Sequence, residues 1–485
     1  MQKGEKVMTT ISNQYRFLAR ITIEAVAPLQ IGSGEKGIKT DSLVARDVNG
    51  LPFIPGTTLA GLIRHSMNET ERNELMGHQR EGSRLLITEA RMLNERGGVL
   101  DGIIDLDSLD DATQEFLCNY KQLPIRQHVR IGHQGTAEKS GKFDEEIVLK
   151  GTRFCFEMEM LSGKKEDAAH FIQVLNIIQS PTFRIGSGSR SGFGAIKTIQ
   201  CLYKPIDLSN DLDLYLKKSS SLAADWEGWA SAENQTNANV PISHIEGWTA
   251  YRLNLKPEDF VLFGSGFGDE RGDADMTYVK EPYITWDNNG ATKQTKESVL
   301  LIPGSSVKGA LAHRTAFYYN QLTGAVITED GSLQNGKTIN EVTGKNNDAV
   351  KSIFGSEGEK DAESRKTIHK QRGRILISDV IQTKGNATAK ILNHVSIDRF
   401  TSGAIDGALF TEETLYAKGQ DITIEILVNR HAFENTIVEK AFESALKDIT
   451  TGMLPLGGGV NRGNGCFTGT ITKYKKEEQQ WQELA

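Results

Sequence analysis

Two glycine-rich loops carry the clearest chemical signal in the chain. The first reads Gly186-Ser187-Gly188-Ser189-Arg190-Ser191-Gly192-Phe193-Gly194, and the second Gly457-Gly458-Gly459-Val460-Asn461-Arg462-Gly463-Asn464-Gly465, with four framing glycines in the same register. Closely spaced glycines tolerate positive φ and let successive backbone N–H groups turn toward an anion, so phosphate is the natural guest. Arg184, Arg190 and Lys197 add charge beside the first loop and Arg462 beside the second, as backbone recognition of a nucleic acid requires. The plainer use of such a loop is a tight turn packing a helix against a strand. The arginine kept in both loops favours the anion. No Gly-Lys-[Ser/Thr] follows either loop, and each follows a helix instead of opening one, so neither a P-loop nor a dinucleotide fingerprint is present.

The charge balance constrains that reading. Fifty-six basic against 63 acidic residues give a net charge of −7, so any nucleic-acid site must be a local basic groove. Apolar residues make up 38% and charged residues 25%, ordinary for a globular protein, and no apolar run approaches the roughly 18 residues of a membrane span. Residues 1–17 lack the apolar core of a secretory signal, and the expected compartment is the cytoplasm. Cys118, Cys155, Cys201 and Cys466 lie far apart without paired spacing; buried free thiols are expected, and no zinc site.

The elements that must position the loops occur twice. Leu29-Gln30-Ile31-Gly32-Ser33-Gly34 is echoed by Val261-Leu262-Phe263-Gly264-Ser265-Gly266, and Ile54-Pro55-Gly56-Thr57-Thr58 by Ile302-Pro303-Gly304-Ser305-Ser306. Residues 84–89 answer to 374–379, and His128-Val129-Arg130-Ile131 to His394-Val395-Ser396-Ile397, before the glycine loops close each series. The 485 residues therefore divide into a first domain at 14–205, a Ser-, Asn-, Asp- and Ala-rich linker at 206–247, and a second domain at 248–476 with longer insertions. Residues 15–26, 84–91, 146–160 and 195–203 read as strands, with Phe17, Ala19, Ile21 and Ile23 alternating against polar neighbours. Helices are expected after Thr57-Thr58 and Ser305-Ser306, with those hydroxyls as N-caps, and again at 165–179 and 436–446. Strand, helix, strands, helix, glycine loop, strand is the order of a split βαβ, ferredoxin-like α+β fold. His65, His313 and Arg314 fall on the first helix of their copies, where a groove contact to RNA competes with a solvated role, while His128 and His394 read as structural.

These marks together resemble the RAMP superfamily, and most closely the backbone subunit of type III CRISPR effector complexes. The second copy carries the likeness best. It reads Leu301-Ile302-Pro303-Gly304-Ser305-Ser306-Val307-Lys308-Gly309, then His394-Val395-Ser396-Ile397-Asp398-Arg399-Phe400-Thr401 and Gly407-Ala408-Leu409-Phe410. Two such units in one chain are similar to the fused subunits of type III-D-like complexes, and imply tandem RRM-like (βαββαβ) RAMP domains. Residues 190–194 are also faintly similar to the aromatic RNA-stacking strand of an RRM, although Asn464 replaces Phe193 in the second copy.

The resemblance implies crRNA, complementary target RNA and other effector subunits as partners, with no membrane. Base pairing would choose the target while the protein reads shape. It implies RNA contacts at Gly186, Gly188, Arg190, Gly192, Gly194, Lys308, Arg314, Gly457, Gly459, Arg462, Gly463 and Gly465, and a nucleotide-displacing thumb around His394, Asp398, Arg399 and Phe400. Asp41 falls on the family's target-cleaving aspartate, with a magnesium or other divalent cation beside it. In the second copy Asp275, Asp273 and Glu281 are alternatives, with Asp275 preferred. The expected activity is endoribonucleolytic cleavage of the target; the alternative is an inactive, architectural RNA-binding subunit.

Overall fold

The computed structural model describes residues 13–37, 40–237, 241–268, 272–294, 299–325, 328, 333, 336–356, 358–360, 367–368, 370–382 and 387–484. In the first domain β1 (Tyr15–Ala25) leads to α1 (Gly56–Ser66) and β2 (Leu85–Ile87). A hairpin of β3 (Ile125–Ile131) and β4 (Ala137–Glu146) precedes β5 (Arg153–Ser162), α2 (Ala168–Gln179) and β6 (Ile196–Asp207). The sheet order β2-β5-β1-β6, antiparallel throughout, is the ferredoxin-like arrangement. A short strand, β7 (Glu233–Asn234), extends it beside β6. The second domain repeats the order with β8 (Trp248–Pro257), α3 (Gly304–Leu322), β9 (Ile375–Ile377), a hairpin of β10 (Thr388–Ile397) and β11 (Ala404–Tyr416), β12 (Ile422–Asn429), α4 (Thr436–Thr450) and β13 (Phe467–Lys475). Its sheet runs β9-β12-β8-β13.

The inward set of β1 is the alternating one, Phe17, Ala19, Ile21 and Ile23, packed under the helices. Leu18 points the other way and is still buried, because Trp226 and Trp229 cover it. The residues read from composition as a linker are thus partly a lid: they cap the outer sheet face of the first domain, and Ile242 and Ile245 cover Ala250, Leu376 and Leu427 on that of the second.

Three local expectations change. The run 146–160 is not one strand: the chain turns between β4 and β5 at Gly151, whose φ is +87° and whose Cβ position lies 2.0 Å from the Ile284 carbonyl. The helices α1 and α3 start at Gly56 and Gly304 with Pro55 and Pro303 as N-caps, and no hydroxyl caps either. Pro-Gly enters the helix early and leaves Thr57, Thr58, Ser305 and Ser306 inside the first turn. For α3 the missing cap comes from afar, since Asp379 Oδ1 accepts from the Gly304 N–H at 2.8 Å. Finally, Cys118 is exposed and Cys466 half-buried, so only Cys155 and Cys201 are buried thiols; all four are free.

The two domains share a seam. A hairpin at Tyr283–Asp287 and Gly290–Gln294 leaves the second domain and inserts Ile284 into the core of the first. The Ile284 amide donates to the Lys150 carbonyl at 2.8 Å, Trp286 Nε1 to the Gly151 carbonyl at 2.7 Å, and the Arg153 guanidinium lies 3.9 Å from the Trp286 ring centroid. Among the described residues no helix is long and apolar enough to cross a membrane.

Candidate nucleic-acid interface and paired acids

The two glycine loops are built alike, bond for bond. In the first, Ile185, Ser187, Ser191, Phe193 and Gly194 donate their amides to Gly194, Gln30, Gly188, Gly188 and Pro28. In the second, Leu456, Gly458, Arg462, Asn464 and Gly465 donate to Gly465, Leu262, Gly459, Gly459 and Phe260. Each loop is stitched to the segment after the first strand of its own domain. A Cβ at Gly186 would meet the Gln30 carbonyl at 2.2 Å, and one at Gly457 the Leu262 carbonyl at 2.4 Å. Much of the glycine pattern therefore serves backbone-to-backbone contact, and these ten amides are already engaged. Phe193 is 1% exposed, packed edge-on against His128, so it is no stacking platform for a base. The amides of Gly186, Gly188, Ser189, Arg190 and Gly192 lie outside that bonded set, and side chains add charge for a phosphate.

Those side chains gather where the first loop meets the second domain. The Gly192 carbonyl accepts from the Asp379 amide at 3.1 Å, and Lys308 Nζ reaches Ser191 Oγ at 3.4 Å. Arg372 Nη2 reaches Ser189 Oγ at 3.4 Å, and Arg190 lies 5.7 Å from the Trp248 ring centroid. Burial pushes Arg190 down to about 9, with Arg372 and then Arg184 adding repulsion. Burial, then Arg190, lowers Lys308. Three cations, Arg190, Arg372 and Lys308, thus crowd one face with no ion-paired acid among the described residues, a local basic site on a chain of negative net charge. Arg372 lies outside the sequence-level set; nothing in its spacing marks it. Lys197 is spent on Glu24 at 2.7 Å.

Arg126, also missed, locks the seam from beneath. It ion-pairs with Glu281 and, at 2.9 Å, with Asp379, all three side chains being 5% exposed or less. Burial alone would discharge a guanidinium, but Glu281 and then Asp379 hold it charged. Glu281 is thereby engaged in the seam, unlike the exposed Asp273 and Asp275.

Asp41 and Asp275 occupy the same station. Each is exposed and sits beside the outgoing arm of its domain's hairpin. Asp41 exchanges bonds with Asp144: its amide donates to Asp144 Oδ1 at 2.8 Å, and its Oδ2 accepts from the Asp144 amide at 3.3 Å. Asp275 does the same with Thr411, whose amide and hydroxyl reach Asp275 Oδ2 at 2.8 and 3.0 Å. The next residue pairs in parallel with the hairpin in both copies, Ser42 with Glu145 and Met276 with Glu412. Asp273 makes no such pairing. The donor sets differ, with two carboxylates at the first station and one at the second. Among the described residues no group of three His, Cys, Asp or Glu could hold a metal. The stations suit magnesium only in its usual setting of one or two carboxylates completed by water and phosphate oxygens.

The hairpins match as well. His128 stacks on Phe143 at 4.8 Å between centroids and His394 on Phe410 at 4.9 Å. At the tip of the second, Asp398 Oδ1 accepts from Phe400 N, Thr401 N and Thr401 Oγ1; the two Thr401 bonds, then that of Phe400, hold its carboxyl below the usual range. That tip presents Arg399 and a 95% exposed Phe400. His394 Nε2 and Arg462 both meet Glu412. Arg314 ion-pairs with Asp448 and donates to the Met453 carbonyl, bracing α3 against α4 and the segment that follows it. His313 Nε2 lies 3.1 Å from the Ile131 carbonyl, touching the first hairpin.

Two ferredoxin-like units, each carrying a stitched glycine loop and a long hairpin beside an acid at the matching station, define a tandem architecture. The chain belongs to the RAMP superfamily, whose family model matches residues 22–197 and 287–468. No curated protein matches it. Among solved structures it is similar to a chain of the type III-B Cmr-beta complex bound to cognate target RNA, at 14% identity with a TM-score of 0.28. The match covers 40% of this chain and 62% of that one, less than two thirds of its length.

Proposed function

We propose that this chain is a crRNA-binding backbone subunit of a type III CRISPR effector, two backbone units fused, and that Asp41 and Asp275 each mark a cleavage station for complementary target RNA. The observation that carries this reading is the shared station of the two acids, bonded to hairpin residues 144 and 411 in the same way and set beside the glycine loops. Arg190, Arg372 and Lys308 supply the guide's phosphate contacts together with the loop amides outside the stitching bonds, and Arg399 and Phe400 the tip that parts bases. Strand scission by an RNA 2′-hydroxyl in line with its own phosphate needs mainly positioning, with a carboxylate to accept a proton. Asp41 with Asp144, and Asp275 alone, are the residues that would hold a divalent cation. When bound, the cation would stabilise charge on a phosphoryl oxygen.

The seam inside the chain also supports a reading of how other subunits attach. The first glycine loop docks on the Pro303-Gly304 turn of the next unit, whereas the outer glycines of the second, Gly457 and Gly463, are exposed, ready for an equivalent turn on another subunit.

The test is cleavage mapping by the assembled complex with magnesium, using Asp41→Asn, Asp275→Asn and the double variant. Loss of one distinct cut per substitution, by about 10²-fold or more, with assembly intact, is the expected result. Unchanged cutting by the double variant would sink the catalytic assignment. A second reading, an architectural subunit, draws on the two bonds that Thr411 makes to Asp275 Oδ2, which suit a structural brace. It predicts target binding with no cut near this subunit.

A further inference from the structure

A cavity of about 460 Å³ opens between the domains, lined by Lys150, Arg184 and Ile196 of the first and by Leu376, Val380 and Leu427 of the second. None of residues 186–194 lines it, so it is distinct from the glycine-loop face. Arg184 is 8% exposed, and its Nε and Nη1 are buried without a hydrogen-bond partner. Burial lowers this guanidinium to about 10 although Asp379 pulls the other way. Lys150 is likewise lowered by burial, then by Lys197.

The acids on the cavity wall are already engaged. Asp379 is held by Arg126 and by the Gly304 amide, and Glu425 by Arg252 at 2.8 Å. Folding has therefore brought two cations into a half-apolar cleft with no acid left to answer Arg184. An uncompensated buried guanidinium is costly and is retained where a ligand completes it. Guanidinium N–H groups suit oxyanions, and the apolar walls strengthen the attraction by excluding water.

We propose that this cavity binds a phosphate-type oxyanion, with the unpaired N–H groups of Arg184 as donors and Lys150 as the second charge. The ligand touches both domains and fixes their relative seat. A small free ligand and an RNA strand both offer this phosphate chemistry; the proposal does not rest on the RNA reading above.

The full chain without RNA is titrated with inorganic phosphate at constant ionic strength in chloride, reading heat and thermal unfolding. Saturable binding with a rise in Tm is expected, weakened about tenfold or more by Arg184→Gln, as loss of a charged hydrogen bond implies, and by less with Lys150→Gln. Arg184→Lys, which keeps the charge, should retain partial binding and serves if Arg184→Gln fails to fold. No saturable phosphate binding by the unmodified chain, or equal binding by Arg184→Gln, overturns the proposal. RNA affinity measured across salt separates the sources. A salt slope reduced by about 0.7 in Arg184→Gln, the share of one single-strand phosphate, assigns the site to an RNA strand. Unchanged RNA affinity with lost phosphate binding assigns it to a free ligand. Phosphate binding by a chain that binds no RNA would sink the RNA reading and leave this one standing.

Discussion

The two glycine loops have one backbone and two fates. Both keep the same five amide bonds and the same four left-handed glycines. Yet Gly192 of the first is pressed against Asp379 and Gly304, while its counterpart Gly463 has nothing within 4 Å of its Cβ position. The acid beside each loop differs in the same sense. Burial raises Glu145 near Ser187, whereas Glu412 is answered directly by Arg462 and His394. A glycine pattern thus specifies a shape and not a ligand. What the loop does depends on which side chains surround it and on whether another domain is seated on it.

The sharpest way to break the comparison is at the arginines nearest the loops. Arg126→Ala strands Glu281 and Asp379 as buried unpaired acids and should cost about 3–5 kcal/mol in denaturant unfolding. Arg462→Ala in the second copy leaves one buried acid, Glu412, which keeps His394 beside it, and the lost guanidinium is 36% exposed, so the cost should be smaller, about 1–2 kcal/mol. Equal costs would mean that the seam does not distinguish the copies.

Next comes the glycine itself. Gly192 has φ +122°, and an added Cβ would lie 1.9 Å from Asp379 Oδ1, an atom pinned by the Gly304 amide. Gly192→Ala should lose about 2–3 kcal/mol. Gly463→Ala, at φ +94° in open space, should lose only about 1 kcal/mol of backbone strain. Unfolding midpoints of the two variants decide it.

The hairpin histidines give a smaller, pH-dependent difference. Burial, then Arg126, pushes His128 down to about 4. Above about 6.5 both folded and unfolded chains hold it neutral. Between about 6.5 and 4 the unfolded chain takes up a proton that the folded chain refuses, so stability falls as pH falls through that window, by about 1–3 kcal/mol. His128→Phe should flatten the acid limb of the stability curve, and an unchanged limb would rule out this histidine as its cause.

Much of this frame was legible in the sequence because it is local or repeated. The duplication, the glycine register and the alternation of Phe17, Ala19, Ile21 and Ile23 all survive folding. Asp275 could be preferred but not fixed from spacing, since its equivalence to Asp41 rests on bonds to residues 144 and 411 more than a hundred positions away. Arg126 and Arg372 were invisible for the same reason: each acts across the seam, and no periodicity marks a residue whose partner lies in another domain. The Asp379 cap on Gly304 stays within the second domain, but its two residues are 75 positions apart. The hydroxyl N-caps failed by a purely local rule, Pro-Gly starting the helix ahead of the hydroxyls.

The smallest expected effect tests the acid stations directly. The first offers Asp41 with Asp144, the second Asp275 with Thr411, so the copies differ by one carboxylate at matched positions. Thr411→Val keeps the bonds of the Thr411 amide and carbonyl to Asp275 and removes those of the hydroxyl, which donates to Asp275 Oδ2 and accepts from the Asp275 amide; at an exposed site this should cost about 0.5–1 kcal/mol. Thr411→Asp recreates the first station in the second. Because magnesium is held by one or two carboxylates, the proposed cleavage at both stations predicts that this change lowers the magnesium needed for half-maximal cutting at the second position by roughly two- to threefold, with the first cut as an internal standard. If both cuts keep the same magnesium dependence, residue 411 is only a brace for Asp275, and the asymmetry between the copies lies in the seam alone.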